Sequence, residues 1–296
     1  MKKRIISLLM AAVFSLTLLS GCGKDKDDTA KNQTEANASS EAENSEGETS
    51  EESNTLIVAT NPGVHEEILT RAAEILERKG ITIEIDPYND YVTPNFLLDA
   101  GEVDANYFQH EAFLNDFNLR QDMNLVSVCS VHFEPLGIYP GQKKSLSELK
   151  EGDIILIPED RTNMGRALLL LQNIDLITLK DNGTEDNYSL SDISKNPYGL
   201  KIVPMEASRI PTESANAALL VINGNYARNA FLDVTKDSLA YENADSPDVK
   251  PYWNVVAVKA GNENDKRITS LAEVLMSDEI KTFINETYNG AAVAGQ

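Results

Sequence analysis

The chain has 296 residues, with 47 Asp and Glu against 26 Lys and Arg and a formal net charge of −21. That acidity excludes nucleic acid as a partner, because phosphate binding needs clustered Lys and Arg, and it excludes electrostatic adhesion to anionic lipid.

At the N-terminus, Lys2, Lys3 and Arg4 precede the apolar stretch Ile5 to Leu19. The stretch has signal-peptide length and falls short of the roughly 20 residues of a membrane span. Ser20-Gly21-Cys22 closes it, and small residues directly before a cysteine match the cleavage box of bacterial lipoproteins. Residues 1–21 are therefore expected as a signal peptide and Cys22 as the lipidated residue. An ordinary secretory leader, or a buried N-terminal helix with an incidental cysteine, is the alternative. Residues 24–54 contain no aromatic and no branched aliphatic side chain. Such a segment cannot offset its ordering entropy, so 22–54 is expected as a flexible acidic tether of roughly 30 Å mean reach. Losing Lys2, Lys3 and Arg4 with the leader takes the charge from −21 to about −24. Any membrane attachment then rests on the acyl chains, which places the protein lipid-anchored on the extracytoplasmic face of the cell membrane.

The body, Thr55 to Gln296, opens with the apolar run Thr55–Thr60 and the loop Asn61-Pro62-Gly63, a strand and its exit. His65 to Lys79 carries Ile68, Ala72, Ile75 and Leu69, Ala73, Leu76 at helical spacing, with Glu67–Arg71 and Glu74–Arg78 as i,i+4 pairs. Gly80 stands where a helix stops, and Ile81 to Asp86 is a second strand. Further strands are expected at 103–106, 125–131, 135–140, 153–157, 200–203, 217–222 and 252–258. Helices are expected at 109–118, 145–150, 164–174 and 269–287. Strands alternating with helices give open α/β sheets, and the opening β-α-β unit gives a parallel pair. The late strand Tyr252 to Val258 returns the chain to its first lobe, so two lobes with a cleft are expected: 55–134 and 241–296 as lobe 1, 135–240 as lobe 2.

In open α/β sheets, ligands bind beyond the carboxyl ends of strands. Ile154 to Pro158 leads through Glu159–Thr162 into a helix that Asn163 is placed to cap, with Arg166 in its first turn. A cation against the positive end of the dipole implies an anion between them. A ligand carboxylate fits, and so does Glu159, Asp160 or another protein carboxylate. Asn223, after the buried-type strand Ala217–Ile222, can offer a donor and an acceptor to a zwitterion, although Asn-Gly is also a common turn pair. Tyr107, Phe108 and His110 stand at a strand-to-helix junction, with Tyr88 and Tyr91 in a nearby loop. Phe113 and Phe117 read as core. Cys129, the one thiol left after lipidation, reads as a buried strand residue rather than a nucleophile. His132 and Glu134 share a strand face, but two ligands make no metal site, and no catalytic motif is present. No enzyme, metal or cofactor is expected.

Four stretches together resemble the NlpA lipoprotein family, the methionine-binding lipoproteins of ABC importers. They are Ala105–His110, His132–Tyr139, Ile157–Gln172 and Val221–Ala227, in order and at family-like spacing. The resemblance runs from about Leu56 to Val293. It implies a two-lobed periplasmic-binding-protein type II fold, with two mixed sheets closing on an amino acid. It also implies an ABC permease and its ATPase as partners, and no chemistry. In that family the ligand's thioether lies in an aromatic pocket, matched here by Tyr91, Phe108 and His110. The arginine for the ligand carboxylate matches Arg166, with Asn163 beside it. The asparagine that anchors the amino-acid backbone matches Asn223, with Tyr226 close behind. Two departures stand out: Glu111-Ala112 replaces a basic residue often followed by Pro, and Pro158-Glu159-Asp160-Arg161 replaces Pro-Asn-Asp-Pro. L-methionine, D-methionine, a methionine-containing dipeptide and another apolar amino acid all fit. A surface lipoprotein acting as an adhesin, and an enzyme using Cys129, His132 or Glu134, are the other readings.

Overall fold

The computed structural model describes residues 54–181 and 188–295. The leader, Cys22 and nearly all of the acidic tether lie outside them. Among the described residues, no helix is long and apolar enough to cross a membrane.

The chain enters on β1 (Thr55–Thr60), whose Leu56, Val58 and Ala59 are buried. Helix α1 (Val64–Glu77) lays Ile68, Leu69, Ala72 and Leu76 against the core, as the 3.6-residue period requires. Gly80 takes the positive φ that turns the chain into β2 (Thr82–Pro87). The i,i+4 pairs expected on α1 do not form. Arg71 turns to Glu74 and Glu279, while Glu67 accepts from the Tyr288 hydroxyl. Helix α2 (Thr93–Ala100) lies where a loop was expected. Pro94 sits in its first turn, where a missing N–H costs nothing, and Asp90 accepts from the Val92 and Thr93 amides. Then come β3 (Ala105–His110), α3 (Glu111–Gln121) and β4 (Leu125–Phe133).

The second sheet begins at β5 (Gly137–Pro140) and β6 (Ile154–Pro158), followed by α4 (Arg161–Asn173). A short hairpin, β7 (Thr178–Leu179) with β8 (Ile193–Lys195), precedes β9 (Lys201–Met205) and β10 (Leu219–Ile222). Two short helices, α5 (Gly224–Asn229) and α6 (Val234–Asp237), lead to β11 (Ala240–Tyr241). The chain then returns through β12 (Trp253–Lys259), α7 (Lys266–Leu275), α8 (Asp278–Tyr288) and β13 (Val293–Ala294). The single helix expected at 269–287 is thus two, because Ser277 caps a new start by accepting from the Ile280 amide.

Both large sheets are mixed α/β sheets, as expected. The first has the order β13-β4-β12-β3-β1-β2, and the second β11-β5-β10-β6-β9. In the first, β1 pairs in parallel with β2 and β3, whereas β12 lies antiparallel between β3 and β4. Asn254 at the head of β12 stands opposite both His110 and His132. Register shifts in β12 immediately after that level, at Asn254/Val255 against β4 and at Val255/Val256 against β3. Bulges of this kind re-aim side chains, and here they fall beside three buried polar residues that share one strand-end level.

Candidate functional site

Residues at or just beyond the carboxyl ends of β3, β4 and β10 help to line a narrow pocket. Six of the seven side chains expected from sequence line it: Tyr91, Phe108, His110, Asn163, Arg166 and Asn223. Tyr226 stands behind Tyr91, ring centroids 5.0 Å apart, and donates its hydroxyl to the Asn89 carbonyl. Sequence reasoning missed His65, Gln109, Asn225 and Asn254 as lining residues.

One wall is aromatic. Tyr91, Phe108 and Phe113 lie with centroids 5.9 to 6.3 Å apart, in tilted and edge-on arrangements. Phe113 therefore faces the pocket as well as the core. Beneath the wall, Asn95, Asn106 and Gln109 form a closed set of amide hydrogen bonds of 2.7 to 2.9 Å. The set satisfies polar groups that β3 buries completely.

His110 is a wall residue with both ring nitrogens committed. Nδ1 accepts from the Phe113 amide and so caps α3, while Nε2–H donates to Asn163 Oδ1 at 3.1 Å. Asn163 is equally committed. Its Oδ1 also accepts from Asn223 Nδ2, and its Nδ2 donates to Asp160. The cap of α4 is Asp160 rather than Asn163, so Arg166 lies in the second turn and not the first. The macrodipole argument for its partner weakens accordingly.

Arg166 is held by protein on two of its nitrogens. Nε donates to Glu242 Oε1 at 2.7 Å, and Nη2 donates to Glu242 Oε2 at 2.6 Å and to the Glu134 carbonyl at 2.7 Å. The guanidinium also lies 4.7 Å from the centroid of Tyr252. Nη1 makes no hydrogen bond to a described residue, and Arg166 is among the residues that line the pocket. Burial disfavours the charge, but the Glu242 carboxylate more than offsets this and raises the pKa.

Three further polar atoms of the pocket are buried without a hydrogen-bond partner among the described residues: Asn223 Oδ1, Asn225 Nδ2 and His65 Nδ1. Asn225 Oδ1 is taken by the Tyr91 hydroxyl at 2.6 Å. Glu134 is buried, and desolvation raises its pKa by more than the neighbouring His65 and Arg166 lower it. A Cβ on Gly224 would come 2.7 Å from Glu134 Cβ and Oε2, so the close approach of α5 to this carboxylate requires glycine. The pocket thus offers donors at one set of atoms and acceptors at another, beside an apolar wall.

A family model described as NlpA lipoprotein matches residues 56–296. The chain belongs to the NlpA lipoprotein family. Among its relatives, the D-methionine-binding lipoprotein MetQ of Salmonella typhi is 36% identical over 252 residues, covering 84% of this chain and 91% of the relative. The methionine-binding lipoprotein MetQ of Bacillus subtilis is 37% identical over 241 residues, covering 80% and 87%. A nutrient-binding protein from Burkholderia cenocepacia, solved bound to methionine, matches with a TM-score of 0.76 at 35% identity, covering 81% and 100%.

In this NlpA lipoprotein His110 makes a pH prediction. Burial, then the Arg166 charge, lowers its pKa from 6.5 to about 3. Between those values the unfolded chain holds a proton that the folded chain does not, so stability is full above pH 6.5 and falls as pH drops. His110→Gln removes that linkage. The difference in unfolding free energy between wild type and variant should shrink by about 1.4 kcal/mol per pH unit from about pH 6 to 4. Urea unfolding at each pH reads it, and parallel curves would show that His110 does not titrate this way. Cys129 is pushed up to about 12 by burial, which leaves little thiolate at neutral pH for nucleophilic work.

Proposed function

We propose that this chain is the lipid-anchored substrate-binding protein of an ABC importer and holds methionine, L or D, or a methionine-containing dipeptide in the pocket described above. The uncommitted polar atoms carry the reading. An α-carboxylate finds donors at Arg166 Nη1 and Asn225 Nδ2, and an α-ammonium finds acceptors at Asn223 Oδ1 and the Glu134 carboxylate. The thioether lies against Tyr91, Phe108 and Phe113, where sulfur packs well on ring edges. Residues 55–134 and 241–296 form one lobe and 135–240 the other. Their closure on the ligand signals occupancy to the permease and its ATPase. The protein performs no chemistry, and acylated Cys22 ties it to the extracytoplasmic face of the membrane.

Native mass spectrometry of the purified chain, before and after unfolding to strip ligand, tests this directly. A mass excess equal to methionine, restored by adding methionine back, is the expected result. A chain without that excess that also gives no heat with L-methionine, D-methionine or methionyl dipeptides would remove the substrate assignment and favour an adhesin.

A further inference from the structure

His65 on α1, His132 in β4 and Glu134 just beyond β4 meet beside the pocket, and all three are buried. One ligating atom from each lies within 4.8 Å of the others. His65 Nε2 is 3.0 Å from Asn254 Oδ1, which only accepts, so Nε2 carries the proton and Nδ1 presents a lone pair. That lone pair has no hydrogen-bond partner and faces Glu134 Oε1 at 3.5 Å. Two acceptors facing each other at this distance repel unless a cation stands between them. His132 Nε2 reaches the same oxygen at 2.8 Å.

We propose that His65 Nδ1, His132 Nε2 and Glu134 Oε1 form a binding site for a divalent transition-metal ion of the zinc class. Two imidazoles and a carboxylate are the donor set that borderline ions take. Bonds of about 2.0–2.1 Å in tetrahedral geometry set neighbouring ligand atoms roughly 3.4 Å apart. The 3.5 Å separation already fits, and the 2.8 Å one opens by about 0.6 Å on a small side-chain rotation. The outer nitrogen of each imidazole is already held, His65 by Asn254 and His132 by the Tyr107 hydroxyl. Such outer partners fix ring orientation in metal sites. Tyr107 can accept from Nδ1–H, which leaves the His132 Nε2 lone pair for the ion. His65 and Glu134 also line the pocket, so the remaining coordination position opens towards it. The site shares Glu134 with the ammonium contact proposed above, so the ion competes with the amino acid for that carboxylate, and a proton on Glu134 is the other competing occupant.

Titration of the intact, untagged chain with Zn2+ in excess Mg2+, which occupies the exposed carboxylates of so acidic a protein, tests the site. One Zn2+ per chain is expected by calorimetry and by native mass spectrometry. His65→Gln and Glu134→Gln should each weaken it more than about tenfold, and Tyr107→Phe about tenfold through the outer partner. Co2+ should give the visible absorption of a four- or five-coordinate ion on the unmutated chain, which does not depend on any variant folding. Absence of stoichiometric Zn2+ binding, or binding unchanged in His65→Gln and Glu134→Gln with the circular dichroism of wild type, would overturn the proposal and leave the proton as occupant.

Discussion

Arg166→Met is expected to weaken methionine binding by roughly a hundredfold or more and to lower the unfolding free energy by about 3–5 kcal/mol. The two losses have different origins. Binding falls because the ligand carboxylate is left desolvated with one donor set gone. Stability falls because Glu242, only 11% exposed, keeps a carboxylate that loses both guanidinium nitrogens and retains the Leu136 amide, a neutral donor that cannot balance its charge. Removing one member of a buried pair costs far more than replacing both. The double variant Arg166→Met with Glu242→Gln should therefore regain most of the stability and none of the binding. Glu242→Gln alone keeps the guanidinium and should cost less affinity than losing it. Calorimetric titration with L-methionine alongside urea unfolding separates these effects. Recovery of binding in the double variant would remove Arg166 as the carboxylate's partner.

That pairing also shows where the sequence stopped being informative. Strands with continuous apolar runs, such as Thr55–Thr60 and Ile154–Pro158, were legible because both faces are buried and the run needs no partner to be recognised. The second sheet was legible for the same reason at Leu219–Ile222. Helix α2 was not, because Pro94 and the nearby Asp and Tyr residues read as loop, and only the structure puts that proline in a first turn. The break between α7 and α8 carried a signal in Ser277-Asp278-Glu279, a capping residue before two acids, which helical periodicity overrode. Arg166 was found from its local setting, but of its possible protein partners the sequence could name only Glu159 and Asp160 and left the third as another carboxylate. Asp160 is spent on Asn163, and Glu242 is 76 residues away in sequence. His65 likewise lies 67 positions before His132, and no spacing rule reaches across that distance. What joins them is register: β12 sets Asn254 opposite both His110 and His132, and Asn254 then holds His65. Local pattern gave the elements and the candidate types. The committed or uncommitted state of each polar atom, on which specificity rests, is a property of the assembled pocket.

Phe108→Ala should cost about 3–5 kcal/mol of stability and also open the apolar wall. Phe108 is 2% exposed and sits with its ring 6.1 Å from Tyr91 and 6.3 Å from Phe113, so its loss leaves two aromatic edges facing a void. The nearby amides of Asn95, Asn106 and Gln109 are committed to one another, so moving them would break their own hydrogen bonds. For that reason the cost should fall in the upper part of the range. Affinity should drop with stability in this variant, which alone would not identify the wall's role. Phe108→Leu separates the two, because it keeps apolar volume and removes the ring. If the wall recognises sulfur, wild type should prefer methionine to norleucine, its carbon isostere, by about 0.3–1.5 kcal/mol, and Phe108→Leu should reduce that preference. Equal preference in both proteins would mean that the wall selects by shape and apolar area alone. The polar atoms at Arg166, Asn223 and Asn225 would then define an amino-acid site whose side-chain selectivity extends to other unbranched apolar residues.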